Sequence, residues 1–242
     1  MLSLSSRASL PLALLCAVAA ILSGLGYRWA WWSLNVGFKI LEWSAYGAMA
    51  AFALALAGAF GSWRSGKRRD LGFSLVAVII GAATFAVPGV MLHQAHRLPP
   101  IHDISTDTTN PPRFVAVLPL RADARNSAQY GGPTIAEQQR LAYPEIVPFA
   151  STAAPDKAFS RALKVARDMG WTIVAAAPAQ GRIEAVDRTL LYGFRDDIVI
   201  RVTPAPQGSI TDVRSASRVG ESDIGTNARR IRRFLARLAE EP

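Results

Sequence analysis

Three apolar stretches in the first 91 residues constrain this chain more than anything else in it. Residues 8–26 form an uncharged run of 19 residues, close to the roughly 20 that an α-helix needs to cross a bilayer. A second stretch, AYGAMAAFALALAGAF at 45–60, extends backward through Trp43 and gives a span of about 43–61. The third covers about 71–91, with Pro88 near its end as a candidate kink. All three are rich in Gly, Ala and Ser, which lets helices approach closely. Residues 1–97 therefore read as an all-α membrane region of three transmembrane helices. A cleaved signal peptide is the alternative reading of the first run, and its length and the closely following second segment argue against it.

Charge sets the orientation. The formal net charge is +9, which invites a nucleic-acid partner. From Arg97 onward, however, 20 Lys+Arg stand against 16 Asp+Glu, while the N-terminal part holds 7 basic against 2 acidic residues. Basic residues that flank apolar segments set membrane topology rather than bind nucleic acid, so no nucleic-acid partner is expected. Arg64, Lys67, Arg68 and Arg69 sit between the second and third spans, and Arg7 precedes the first. With three crossings these fall on one side, which the positive-inside rule makes the cytoplasm. Everything after Met91 then faces outward, toward the periplasm, from a multi-pass protein of the cytoplasmic membrane. The outward loop 27–44 carries Tyr27, Trp29, Trp31, Trp32, Phe38 and Trp43, a composition suited to an interfacial aromatic belt.

Cys16 is the only cysteine, so an intrachain disulfide, a Cys-ligated zinc site and a thiol nucleophile in the soluble part are all ruled out. Residues 98–114, with prolines paired at 99–100 and 111–112, favour extended backbone over helix and read as a stalk leading into a folded domain at 98–242. Residues 114–120 read as a short strand. Thr134 and Glu137 have the spacing of a capping box for a short helix that stops before Pro144. Asp156 is placed to cap a helix to about Met169, whose Phe159, Leu163 and Ala166 share a face, with Gly170 as its stop. Strands are expected at 171–176, 182–188, around the inward set Ile198, Ile200 and Val202, and at 210–219, and Thr226 is placed to cap a helix over 227–238. The expected fold is α+β: an antiparallel sheet of about four strands with two helices on one face and solvent on the other.

Four segments carry a resemblance: DISTDTTNPPRF at 103–114, YPEI at 143–146, RIEAVDRTLLYGFRDDIVIRV at 182–202 and DVRSASRVGESDIGTNARRI at 212–231. In this order they resemble the DUF1499 family of bacterial and plastid proteins, a domain of unknown function. The resemblance covers most of 99–238 and leaves the three membrane segments outside. It implies a fold and an envelope location, and no activity.

The chemistry-bearing residues are weighed individually. His93, His96 and His102 cluster where the third span meets the stalk, but without a recognised ligand motif they imply no metal. Ser222 lacks the second glycine of a nucleophile elbow, and no histidine follows it. No phosphate-cradling glycine loop occurs, and no cofactor is expected. The acids Asp187, Asp196, Asp197, Asp212 and Asp223 lie near strand ends, beside Arg188, Arg195, Arg201, Arg214 and Arg218. Paired carboxylates could run glycosidase-type chemistry, whereas a cross-strand ion-pair lattice accounts for the same composition without catalysis. The arginines of the last helix, Arg229, Arg230, Arg232, Arg233 and Arg237, suit either anionic lipid or these acids. The resulting expectation is a membrane-anchored envelope protein with a non-enzymatic binding domain facing the periplasm. Its partners would be the bilayer and other envelope proteins, and its binding positions Asp187, Arg188, Asp196, Asp197, Arg201, Asp212 and Arg214. The alternative is an envelope hydrolase that uses paired carboxylates.

Overall fold

A computed structural model describes residues 2–240, with side chains from residue 8 onward; the Arg7 side chain thus lies outside the described residues. Three long helices open the chain: α1 (Leu2–Arg28), α2 (Leu34–Arg64) and α3 (Arg68–Arg97). Each has a segment long and apolar enough to cross a membrane. The buried positions of α2 are Gly37, Ser44, Ala48, Ala51, Ala55, Gly58, Gly61 and Ser62. From Ser44 to Gly61 they are spaced three and four apart, and small residues of this kind leave backbones close together where α1 packs on α2. The expected loop 27–44 is mostly helical, because nothing between Leu34 and Ser44 breaks the α pattern. The turn is confined to the residues around Trp29–Ser33, where Trp31 N–H bonds the Gly26 carbonyl.

The chain divides into two compact units, one of residues up to Gln94 with Leu190–Gly193, the other of Ala95–Thr189 with Phe194 onward. The second is an α+β fold on a six-stranded antiparallel sheet. Its strands are β1 (Asp103–Ser105), β2 (Phe149–Ser151), β3 (Thr172–Ala177), β4 (Arg182–Arg188), β5 (Arg195–Ala205) and β6 (Gly208–Ser217). The order is β1-β6-β5-β4-β3, with β2 also pairing β6. Strands β3 to β6 form a meander, and its four strands are the ones alternation predicts. The two additional strands are three residues each, too short for a period to be read.

Helices α4 (Gly132–Ala142), α5 (Pro155–Asp168) and α6 (Thr226–Glu240) complete the domain. Pro155 opens α5, where its missing N–H costs nothing, and Gly170 follows its end at φ +79°. The buried stripe Ala158, Phe159, Ala162, Val165 and Ala166 packs with Ile231, Phe234 and Leu238 of α6 against Ile183, Ile198, Ile200 and Val213 of the sheet. Trp171 stacks on Phe234 at 5.4 Å between centroids. The expected capping box does not form, since Gly131 precedes α4 without a side-chain cap. Asp223, not Thr226, caps α6. Its carboxylate accepts the Gly225 and Asn227 N–H groups, while Thr226 Oγ1 accepts from Arg229.

The other face of the sheet is covered too, contrary to the expected solvated side. Residues 106–130 cross it, and Phe114 and Val117 pack on Val186, Val199 and Ala216. The strand expected at 114–120 is absent. The N–H groups of Val115, Ala116 and Val117 all bond the Glu184 carboxylate at 3.0 Å. Three consecutive donors converging on one carboxylate cannot alternate as a ladder requires, and a 3-10 turn follows at Leu118–Arg121.

Candidate functional site

Register decides which charges share a face. Arg182 pairs with Arg201 and that with Asp212; Glu184 with Val199 and that with Arg214; Val186 with Asp197 and that with Ala216. This covered face therefore collects Arg182, Glu184, Asp197, Arg201, Asp212 and Arg214. The helix-covered face holds Asp187 opposite Asp196, and Asp196 opposite Ser217. The seven predicted positions are thus not one site: Asp197, Arg201, Asp212 and Arg214 lie under the 106–130 segment, Asp187 and Asp196 under α6, and Arg188 is exposed at the end of β4.

Beneath the 106–130 segment the charges are buried and matched. Asp197 is fully buried and accepts from both Arg218, at 2.7 Å, and Arg121. Arg121 and Arg218 also donate to backbone carbonyls of that segment. Arg214 grips Asp103 with two parallel bonds of 2.9 and 2.6 Å, the bidentate geometry that suits guanidinium and carboxylate. Its plane lies 4.7 Å from the Phe114 ring centre and 5.5 Å from that of Tyr130. Burial, and then the Asp103 charge, push the Tyr130 hydroxyl up to about 12. Glu184 is held by Arg182 as well as the three N–H groups.

At the edge of this face Arg201 bridges Asp212 at 2.7 Å and Asp107 at 3.0 Å. Its side chain is 22% exposed and that of Asp107 25%. Partial burial works to raise the Asp107 carboxyl. The Asn110 and Thr109 N–H groups and Arg201 outweigh it and hold the group below its ordinary range.

On the opposite face Arg230 reaches down from α6 to both facing aspartates, Asp187 at 2.8 Å and Asp196 at 2.6 Å. Burial opposes its charge, but the two carboxylates more than offset that and raise its affinity for the proton. Asn227 and Ser215 extend the network with a 2.6 Å bond between them. Asp223 differs from the other acids because its partners are backbone N–H groups. Burial raises its carboxyl, and nearby Asp196 adds to that effect against the N–H groups.

Asp196, Asp197 and Asp212 are 0–3% exposed and occupied by guanidinium groups, so they present no oxygen to a reacting atom. An open groove of about 940 Å³ lies elsewhere, between α5 and the end of β5, lined by Phe159, Leu163, Pro178, Val202 and Pro204 among others. Its lining includes Lys164, Arg167, Asp156 and Asp168, of which Lys164 and Asp168 form an ion pair. Among the described residues no group of three His, Cys, Asp or Glu side chains could hold a metal; His102 sits 3.3 Å from the Glu221 carbonyl.

Sequence reasoning missed Glu184, Arg121, Asp103 and Asp107. For Glu184 a signal exists: within RIEAVDR it alternates with Ile183 and Ala185 and so shares a strand face with Val186, where only a partnered charge is tolerated. For Asp103 and Asp107 there is none, since both sit in the proline-flanked stretch 98–114, which shows no strand period.

No curated protein and no solved structure matches the chain. A family model does, over residues 103–238, and its description is a protein of unknown function, DUF1499. The match takes in all six strands and leaves the three apolar helices outside. The chain thus belongs to the DUF1499 family, with three candidate membrane-spanning helices preceding the family's domain.

Proposed function

We propose that this protein is a membrane-anchored envelope protein whose domain 98–242 faces the periplasm and acts as a non-enzymatic binding module. The region 1–97 anchors it in the cytoplasmic membrane. The observation that carries the non-enzymatic reading is the engagement of Asp187, Asp196, Asp197 and Asp212 by Arg230, Arg121, Arg218 and Arg201. General acid–base work needs a carboxyl within reach of the proton it transfers, and these are neutralised and, Asp187 apart, buried. The positions left open to a ligand are Arg188, the exposed side of Asp187 and the Asp107–Arg201 edge; Asp196, Asp197, Asp212 and Arg214 support them from beneath. Orientation rests on the four cations at the α2–α3 junction, Arg64, Lys67, Arg68 and Arg69.

External protease applied to spheroplasts tests the orientation. Degradation of the C-terminal domain with retention of a membrane-protected N-terminal fragment is expected, and full protection refutes it. Affinity purification from solubilised membranes tests the binding role. A partner lost on Arg201→Ala or Arg188→Ala supports it, while retention of every co-purified protein by both variants removes these residues from the reading.

A further inference from the structure

The excess positive charge of the domain is concentrated in two adjacent helices. Of the 20 basic and 16 acidic residues from Arg97 onward, α5 and α6 hold 9 and 3. The remainder, 11 against 13, is slightly acidic. The two helices pack side by side, and their apolar stripes face the sheet, so their other faces form one continuous outer surface.

Most of the charge on that surface is uncompensated. Arg230 is buried beneath it and spent on Asp187 and Asp196. Lys164 is matched by Asp168, and Arg232 by Glu145. Lys157, Arg161, Arg167, Arg229, Arg233 and Arg237 have no carboxylate partner among the described residues; Arg229 and Arg237 bond only carbonyl or hydroxyl oxygens. Asp156 and Glu240 are the other acids on these helices. A surface built for stability by ion pairing would distribute its charges as the sheet does, where each buried acid has its arginine. This one leaves cations spread over two helices, with small residues such as Ser160, Ala236 and Ala239 between them.

We propose that the outer surface of α5 and α6 binds anionic lipid headgroups. The argument is charge complementarity: a broad, shallow array of long flexible cations suits many mobile phosphates better than one fixed ligand. Each cation near such a surface adds to the attraction, so that removing two of them is readable as a change in partition. The chain carries its own candidate membrane spans, so a lipid surface is never far from the domain. This surface is separate from the binding positions proposed above, and its chemistry is independent of which side of the membrane the domain faces.

The test uses the full chain in phosphatidylcholine nanodiscs, mixed with separate sucrose-loaded vesicles and sedimented. Vesicles containing phosphatidylglycerol are expected to capture the discs and pure phosphatidylcholine vesicles to leave them in solution. Capture should fall as salt is raised past about 0.1 M, where the screening length is about 10 Å. Arg161→Gln with Arg233→Gln, and independently Lys157→Gln with Arg237→Gln, should each lower the partition coefficient roughly tenfold or more. Arg125→Gln, an exposed cation on the 106–130 segment, should leave it unchanged, and unchanged thermal unfolding of each variant separates loss of charge from loss of fold. Equal capture by both vesicle types, no capture by either, or insensitivity to both double substitutions overturns the proposal. So does retention on an immobilised acidic polysaccharide without vesicle capture, which would assign the surface to a polymer.

Discussion

Asp187 and Asp196 stand directly opposite each other on β4 and β5, a pairing of like charges that is unfavourable alone. Arg230 makes it tenable. Arg230→Met would leave two adjacent carboxylates under α6 with no countercharge, at a cost of about 3–5 kcal/mol, measurable by unfolding of the detergent-solubilised protein. Replacing both aspartates by asparagine in the same background should recover part of the loss, because the repulsion goes with the charge. Asp107 gives a pH signature with a definite sign. Its carboxyl is held below the ordinary value in the folded state, so its contribution is present above the unfolded value and is lost as pH falls through the folded one. Asp107→Asn should accordingly lower stability across the neutral-to-alkaline range, where that contribution is present, and flatten the acid limb, along which it is lost. A variant whose acid limb matches the parent in slope would sink that assignment.

At the level of elements, the tight hairpin between β5 and β6 depends on Gly208. Its φ is +114°, and a Cβ there would run into the Ser151 carbonyl oxygen and lie 2.6 Å from the Thr152 carbonyl carbon. Gly208→Ala must therefore displace β2 from β6 as well as strain the turn, and a loss above about 1–2 kcal/mol is expected, with hydrogen exchange accelerated at Phe149–Ser151. The meander, α5 and α6 were legible because each shows its own period over many residues. Elements that answer to a distant partner were not. Residues 114–120 form an apolar run that reads as a strand, yet Glu184 captures the N–H groups of Val115, Ala116 and Val117. Residues 103–105 read as stalk, yet Ser105 trades two hydrogen bonds with the Gln139 side chain and completes the sheet edge. The charges of the candidate site were legible by identity. Their division between two faces was not, because it depends on the register of β5 against both neighbours.

For the whole molecule, the proposed orientation rests on the four cations at the α2–α3 junction. Exchanging Arg64, Lys67, Arg68 and Arg69 for glutamine should produce a mixed population in which part of the C-terminal domain is shielded from protease added to spheroplasts. An unchanged cleavage pattern would show that another feature sets the orientation.

The first strand of the domain has a temporal consequence. Asp103 meets Arg214 across 111 residues of sequence, and the other short strand, β2, also waits for β6. The earliest-made strands of the domain thus cannot pair until the last strand has been synthesised. Contacts of such long sequence separation slow folding, because the chain between them must be ordered first. The nascent domain spends that interval with the apolar sheet face that α6 helps to cover and the β6 edge still exposed, so its period of greatest exposure to aggregation comes late, after Ser217 and before α6 docks.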